Sequence, residues 1–305
     1  MSSPVLQTTT AAGVSSSLTG LLEGMRPVQW IKNGFVLAPL IFSANLANFE
    51  LGLRALAVFA AFSMVASGVY LWNDSLDWRS DLNHPQKKRR PIPSGRLTPA
   101  VAISFGSFLL IAGVLAGFAL NLATGFLLFG YAILNGLYSL TLKHVEIVDL
   151  MCIAVGFVLR VIAGSTAIHV QSSHWLLMCT FLIALFLGIA KRRQEIVTLS
   201  NGSGQHRRVL ANYSLPWLDQ AGTLVSGSTV VAYALYAVSP ETQAKFGTDA
   251  LIYTLPFVVF GVLRYLHMMH SGDRTGNPTS ALILDKQLLM CVAGWVLACA
   301  AIIYL

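Results

Sequence analysis

Apolar runs long enough to cross a bilayer divide this chain, and no other feature constrains its fold as strongly. They fall at about 28–46, 54–72, 99–120, 122–142, 147–168, 174–190, 215–238, 249–270 and 284–305. Backbone polar groups at membrane depth must be satisfied within their own segment, so each run is predicted to be helical. With 55% hydrophobic and 11% charged residues, the chain is too apolar for an ordinary soluble domain. The expected fold class is all-α: a polytopic membrane protein, a single bundle of nine transmembrane helices. The lone Asn121 between the third and fourth runs implies an antiparallel hairpin. Gly113 and Gly117 form a small-xxx-small pair suited to close helix packing. Residues 1–22 are rich in Ser, Thr and Ala and have no basic segment ahead of an apolar core. They read as a disordered tail rather than a cleaved leader, leaving 23–305 as the membrane domain.

Lys and Arg fix the expected orientation. With the N-terminus inside, the inner segments hold Arg26, Lys32, the basic residues of 73–98, Lys143, those of 191–214, Arg264, Arg274 and Lys286. The outer loops hold only Arg54 and Lys245. The formal charge of +7 thus lies in loops between apolar runs, which argues against a nucleic-acid partner. Cys152, Cys179, Cys291 and Cys299 all lie in apolar segments without zinc or disulfide spacing and read as small hydrophobes.

One window stands apart. From Tyr70 to Arg96 the chain reads YLWNDSLDWRSDLNHPQKKRRPIPSGR, with Asp74, Asp77 and Asp81 followed by Lys87, Lys88, Arg89, Arg90 and Arg96. A solvated, positive loop is the plain reading of such a charge run. The NDxxDxxxD spacing at a membrane helix end favours a different one. On a continued helix, Asn73, Asp77, Asp81 and Asp74 sit at about 0°, 40°, 80° and 100°. Carboxylates crowded on one arc repel, and a hard divalent cation relieves the repulsion. Magnesium held by two or three protein oxygens keeps room for substrate phosphates, which the basic run beyond could meet.

Ionisable residues at membrane depth face a cavity or a partner. Arg160 is the deepest, and Asp149, three turns earlier, projects from the same face. An interhelical salt bridge is one role for Arg160; binding a buried anion through its guanidinium fork is the preferred one. Tyr138 and Lys143 close the fourth run, and Lys191, Arg192 and Glu195 close the sixth. Arg193, Arg207 and Arg208 could serve as snorkelling anchors. Arg26, Gln29, Lys32 and Asn33 recur at three- and four-residue spacing, giving a polar stripe on the first run. That stripe suits interfacial anchoring or a lipid phosphate head group.

Together these residues resemble the UbiA superfamily of intramembrane prenyltransferases. The likeness rests on Asn73, Asp74, Asp77 and Asp81, and it covers nearly everything from Arg26 onward. RPxQWxKN (Arg26 to Asn33), HPxKxxRPxxxG (His84 to Gly95), LKHxExVD (Leu142 to Asp149), LRxIAG (Leu159 to Gly164), KRxxE (Lys191, Arg192, Glu195) and LRY (Leu263 to Tyr265) are similar to the decaprenyl-phosphate phosphoribosyltransferase branch. Relatives acting on aromatic acceptors carry a second aspartate-rich motif after the sixth helix. Here that place reads KRRQEI, suited to meeting extra phosphate directly.

The resemblance implies a magnesium-dependent transfer of 5-phosphoribosyl from phosphoribosyl pyrophosphate to a polyprenyl phosphate. It places the active site on the cytoplasmic face of the plasma membrane. Asp74, Asp77 and Asp81 are the implied catalytic residues, and with Asn73 the metal ligands. Arg26, Lys32, Asn73, His84, Lys87, Arg90, Tyr138, Lys143, Arg160, Lys191, Arg192 and Glu195 are the implied substrate-binding set. The partners are the two substrates and the bilayer, and self-association is an option the sequence leaves open. An aromatic-acceptor prenyltransferase of quinone biosynthesis is the alternative. A transporter would spread its charges through the membrane depth in two matching halves, a pattern this chain does not have.

Overall fold

A computed structural model describes residues 9–83, 87–200, 210, 212–270 and 284–304. Helix α1 (Thr9–Met25) leads into a 3-10 stretch (Pro27–Leu37) and a single turn, α2 (Ala38–Ile41). The bundle follows: α3 (Phe49–Asp81), α4 (Pro99–Leu120), α5 (Leu122–Leu140), α6 (Val148–Ala167), α7 (His174–Ser200), α8 (Leu215–Val238), a short α9 (Pro240–Phe246), α10 (Leu255–His270) and α11 (Lys286–Tyr304). Among the described residues, eight segments are long and apolar enough to cross a membrane.

Side-chain chemistry sets the helix ends. Asn48, Thr98 and Ser214 cap α3, α4 and α8 by accepting the Leu51, Val101 and Trp217 N–H groups. Asn121 ends α4 and caps α5, accepting from Thr124 N–H at 2.8 Å, which makes the expected one-residue hairpin.

The first apolar run departs from expectation: it is a 3-10 stretch and a single turn, not a ninth long α-helix. Its inward-facing side chains, the half-buried Trp30 and the buried Asn33 and Val36, recur every third residue. Trp30 Nε1 donates to Ser67 Oγ, Asn33 Nδ2 donates to Ser63 Oγ, and Val36 is buried against α6. Three residues of 3-10 helix rise about 6 Å, the same as four residues of α-helix. Trp30 and Asn33 therefore keep step with Ser67 and Ser63 on α3, a match that a regular α-helix would lose. A Cβ at Gly164 would overlap the Val36 carbonyl, so the two backbones lie in direct contact.

Residues 9–22 also depart from the expected disordered tail, because they belong to α1. Leu21 and Met25, one turn apart, pack on Leu71, Ile92 and Leu97. A Ser/Thr-rich composition hides that short apolar stripe. The glycine pair expected in one interface serves two: Gly113 lies against Ala61 and Val65 of α3, and Gly117 against Leu128 and Gly125 of α5.

Candidate active site

The 33 residues of α3 run about 50 Å, well beyond a hydrocarbon core of about 30 Å. One unbroken helix therefore carries Asn73, Asp74, Asp77 and Asp81. The loop after it folds back because Ile92 and Leu97 bury against Leu71, and Gly95, at φ 78°, makes the turn between them. That fold-back delivers Arg90 to the aspartates.

Asp74 and Asp81 are almost fully buried, at 4% and 3% exposure. Arg90 Nη1 sits between them, 3.0 Å from Asp74 Oδ1 and 2.7 Å from Asp81 Oδ2. Arg26 Nη2 meets both Asp74 oxygens, at 2.5 and 2.8 Å, with its guanidinium 5.0 Å from the centre of the Tyr70 ring. Arg26 holds this position at φ 54° ahead of a proline, a costly backbone state of the sort that collects at functional sites. Lys87 Nζ lies 3.9 Å from Asp81. Asp77 turns away to Lys143, 3.5 Å distant. Asp74 and Asp81 lie about 20° apart on the helix wheel, with Asp77 about 40° to 60° away. His84 lies outside the described residues.

The expected ligand set of Asn73 and three aspartates is thus split. Among the described residues no three His, Cys, Asp or Glu side chains converge on one point. Asp74 and Asp81 nevertheless fit a cation, since they already bracket one positive atom, Arg90 Nη1. Hard carboxylate oxygens in such a pair suit an ion that takes its remaining ligands from substrate phosphates.

A second network closes the inner end of α6 and α7. Arg192, expected to clamp phosphate, is fully buried and spends its donors within the protein. Nε donates to Asp149 Oδ2 at 2.7 Å, Nη1 to Glu195 Oε2 at 2.6 Å and Nη2 to Tyr138 Oη at 2.8 Å. Asp149 is the partner of Arg192, not of Arg160 on its own helix. Lys191 is 3.9 Å from the other Glu195 oxygen, and these two side chains remain partly exposed. Arg193 pairs with Asp219 at 2.5 Å and donates to the Met269 carbonyl at 2.6 Å, tying α7 to α8 and α10.

Arg160 is not brought to the aspartates. Its guanidinium stacks near Phe62, a dozen residues or about 18 Å of rise before Asp74 on α3. It donates to Asn33 Oδ1, the Gly156 carbonyl and Tyr131 Oη at 2.7–2.8 Å, and faces the Tyr131 and Phe157 rings. Neutral acceptors from α5, α6 and the 3-10 stretch thus hold it as an interhelical pin. Lys32, beside Asn33, is half-buried and is repelled by Lys191, Arg160 and Arg26, which makes this region a positive focus.

Tyr131 and Tyr213 were not singled out by the sequence. Tyr131 lay within an apolar run, and Tyr213 in a polar link where nothing marked it from its neighbours. Tyr213 Oη donates to Asp149 Oδ1 at 2.7 Å and accepts from Ile147 N–H at 2.6 Å.

An integral membrane bundle with an aspartate-bearing helix end defines a class, and a family model agrees. The UbiA prenyltransferase family model matches residues 35–281, and the chain belongs to that family. Among proteins of assigned function it is similar to decaprenyl-phosphate phosphoribosyltransferases. That of Mycolicibacterium smegmatis is 29% identical over 97% of this chain and 96% of its own. That of Corynebacterium glutamicum is 31% identical over 94% and 87%. The fold matches a UbiA homologue from Archaeoglobus fulgidus bound to GPP and Mg2+, with TM-score 0.69, 17% identity and 94% and 100% coverage. It also matches a digeranylgeranylglyceryl phosphate synthase, with TM-score 0.66, 20% identity and 94% and 98% coverage.

Proposed function

We propose that the protein transfers 5-phosphoribosyl from phosphoribosyl pyrophosphate to decaprenyl phosphate or a similar polyprenyl phosphate, releasing pyrophosphate, as a step toward a lipid-linked pentose for cell-wall arabinan. The observation that carries this reading is the pairing of one aspartate arc on α3 with a basic inner end of α7. Lys191 and Arg192 there flank a single carboxylate, Glu195. One carboxylate arc suits one diphosphate, and Lys191, the part-exposed cation of that end, suits a further phosphate on the donor, with the buried Arg192 holding Glu195 beside it. Similarity to phosphoribosyltransferases over nearly the whole chain supports the same choice.

Asp74 and Asp81, with Asn73 and Asp77 at the edge, are the residues that would hold magnesium. The ion would supply Lewis-acid neutralisation of the leaving pyrophosphate. Arg26, Lys87, Arg90 and Lys143, paired with aspartates here, are placed to turn toward phosphate oxygens as substrate arrives. The anomeric C–O bond to pyrophosphate breaks with its electron pair leaving on oxygen, and a C–O bond to the lipid phosphate forms. Positive charge on the anomeric carbon is met by the Asp77 or Asp81 carboxylate. The acceptor phosphate is ionised near neutral pH, so the step needs no strong base. The Lys and Arg bias supports a site facing the cytoplasm from the plasma membrane, where a soluble donor meets a lipid acceptor.

The test is to incubate detergent-solubilised protein with magnesium, decaprenyl phosphate and labelled phosphoribosyl pyrophosphate and to follow label into the organic phase. Labelled lipid that disappears with EDTA is the expected result. No labelled lipid, with prenylation of 4-hydroxybenzoate from an isoprenyl diphosphate instead, would sink the reading.

A further inference from the structure

Glu146, Ile147 and Val148 form a tight three-residue turn in which Val148 N–H donates to the Glu146 carbonyl at 2.6 Å. Its centre, Ile147, holds φ 64° and ψ −43°, a strained state for any residue and more so for a β-branched one. The turn is tied from outside. Ile147 N–H donates to Tyr213 Oη, and the Asn212 side chain bonds Glu146. The same Tyr213 hydroxyl donates to Asp149, which is 0% exposed and holds the equally buried Arg192. Arg192 in turn holds Glu195, whose other oxygen faces Lys191. Exposure rises along this relay, from none at Asp149 and Arg192 to 26% at Glu195 and 37% at Lys191. The middle of the relay is therefore built into the fold, while the turn at one end and the Glu195–Lys191 pair at the other reach the surface. Lys191 and the aspartate-bound Arg26 both lie within electrostatic reach of Lys32, which sets that pair beside the site.

A fully satisfied buried relay that begins at a strained turn and ends at two part-exposed charges needs a reason beyond stability, because buried ion pairs seldom stabilise on balance. We propose that Tyr213 is a positioning residue: through Asp149 and Arg192 it fixes the Glu195 carboxylate and the Lys191 ammonium against the phosphorylated pentosyl donor. This rests on the function proposed above and deepens it by separating donor from acceptor. In this arrangement Glu195 accepts from sugar hydroxyls while Lys191 meets phosphate. The lipid acceptor lies outside the relay's reach.

Tyr213→Phe removes the hydroxyl and keeps the ring that stacks on Trp217. In the full-length protein, the donor KM should rise about fivefold to tenfold, as for a lost buried hydrogen bond, with the lipid phosphate KM unchanged. Protection against thermal unfolding by ribose 5-phosphate, the part of the donor this relay meets, should weaken in parallel. In a Glu195→Gln background, the added Tyr213→Phe change should have no further effect on donor KM. Asp149→Asn should reproduce the donor defect if Tyr213→Phe does not fold. Wild-type donor KM and ribose 5-phosphate protection in either variant, or effects that add in full on Glu195→Gln, would overturn the proposal. If wild-type protein binds ribose 5-phosphate but transfers no phosphoribosyl group, the functional reading fails and the ribose 5-phosphate arm still decides the role of Tyr213.

Discussion

Asp77 and Asp74 share a motif but differ in what they hold together. Asp77 is 42% exposed and its nearest cation is 3.5 Å away. Lys143 is only 16% exposed, but with Asp77 open to water and the ions 3.5 Å apart the pair contributes little to stability. Asp77→Asn should therefore move the unfolding free energy by less than about 0.5 kcal/mol while lowering kcat by about 100-fold, as for loss of a group that stabilises developing charge. Asp74→Asn should cost about 3 kcal/mol as well as activity, because two guanidinium groups converge on that buried carboxylate. Thermal unfolding in detergent, run beside the transfer assay, separates the two cases. Ile147→Gly makes the opposite comparison. Glycine relieves the positive φ, and Ile147 is 47% exposed, so little packing is lost. Stability should rise by about 1 kcal/mol, and activity should fall as the turn that feeds Asp149 loosens.

At the scale of elements, close contacts and cross-links decide how the helices pack. A Cβ at Gly68 would come within 2.6 Å of the Gly106 carbonyl, so α3 and α4 touch through their backbones just before the aspartate arc. Gly68→Leu should destabilise by about 2 kcal/mol and impair transfer by displacing Asp74; circular dichroism melts and the labelled-lipid assay would show both. Arg160→Lys keeps the charge but not the fork that reaches Asn33, Gly156 and Tyr131 together, and it should cost about 3 kcal/mol. At the start of α11, Asp285 accepts from Leu288 N–H at 2.7 Å and pairs with Arg264. The hydrogen bond from Arg264 holds the Asp285 carboxyl below the usual range. A carboxyl depressed in the folded state stabilises above its unfolded pKa of about 4. That contribution should fade as pH falls through the lower folded value. Asp285→Asn should flatten this acid limb when melts are compared from pH 6 to pH 3.

At the scale of the whole molecule, the apolar runs dictated a membrane bundle because hydrocarbon leaves the backbone no other way to satisfy itself. The NDxxDxxxD spacing placed the aspartates on one face of one helix, and the Lys and Arg bias put them at one end. Those features follow from local periodicity and burial energy, so the sequence alone determined them. Pairing between distant elements was not legible. Asp149 takes Arg192 on the next helix, not Arg160 on its own. Asp77 leaves the arc for Lys143, and Tyr213 becomes the anchor of a relay although nothing in its neighbourhood marks it. The first run is apolar enough for a membrane helix, yet it winds as 3-10 because its three-residue rise matches one turn of α3. A side chain's partner depends on which helices become neighbours and in what register. Only the packed tertiary structure sets that, since the free energy of burying a charge is decided by what meets it.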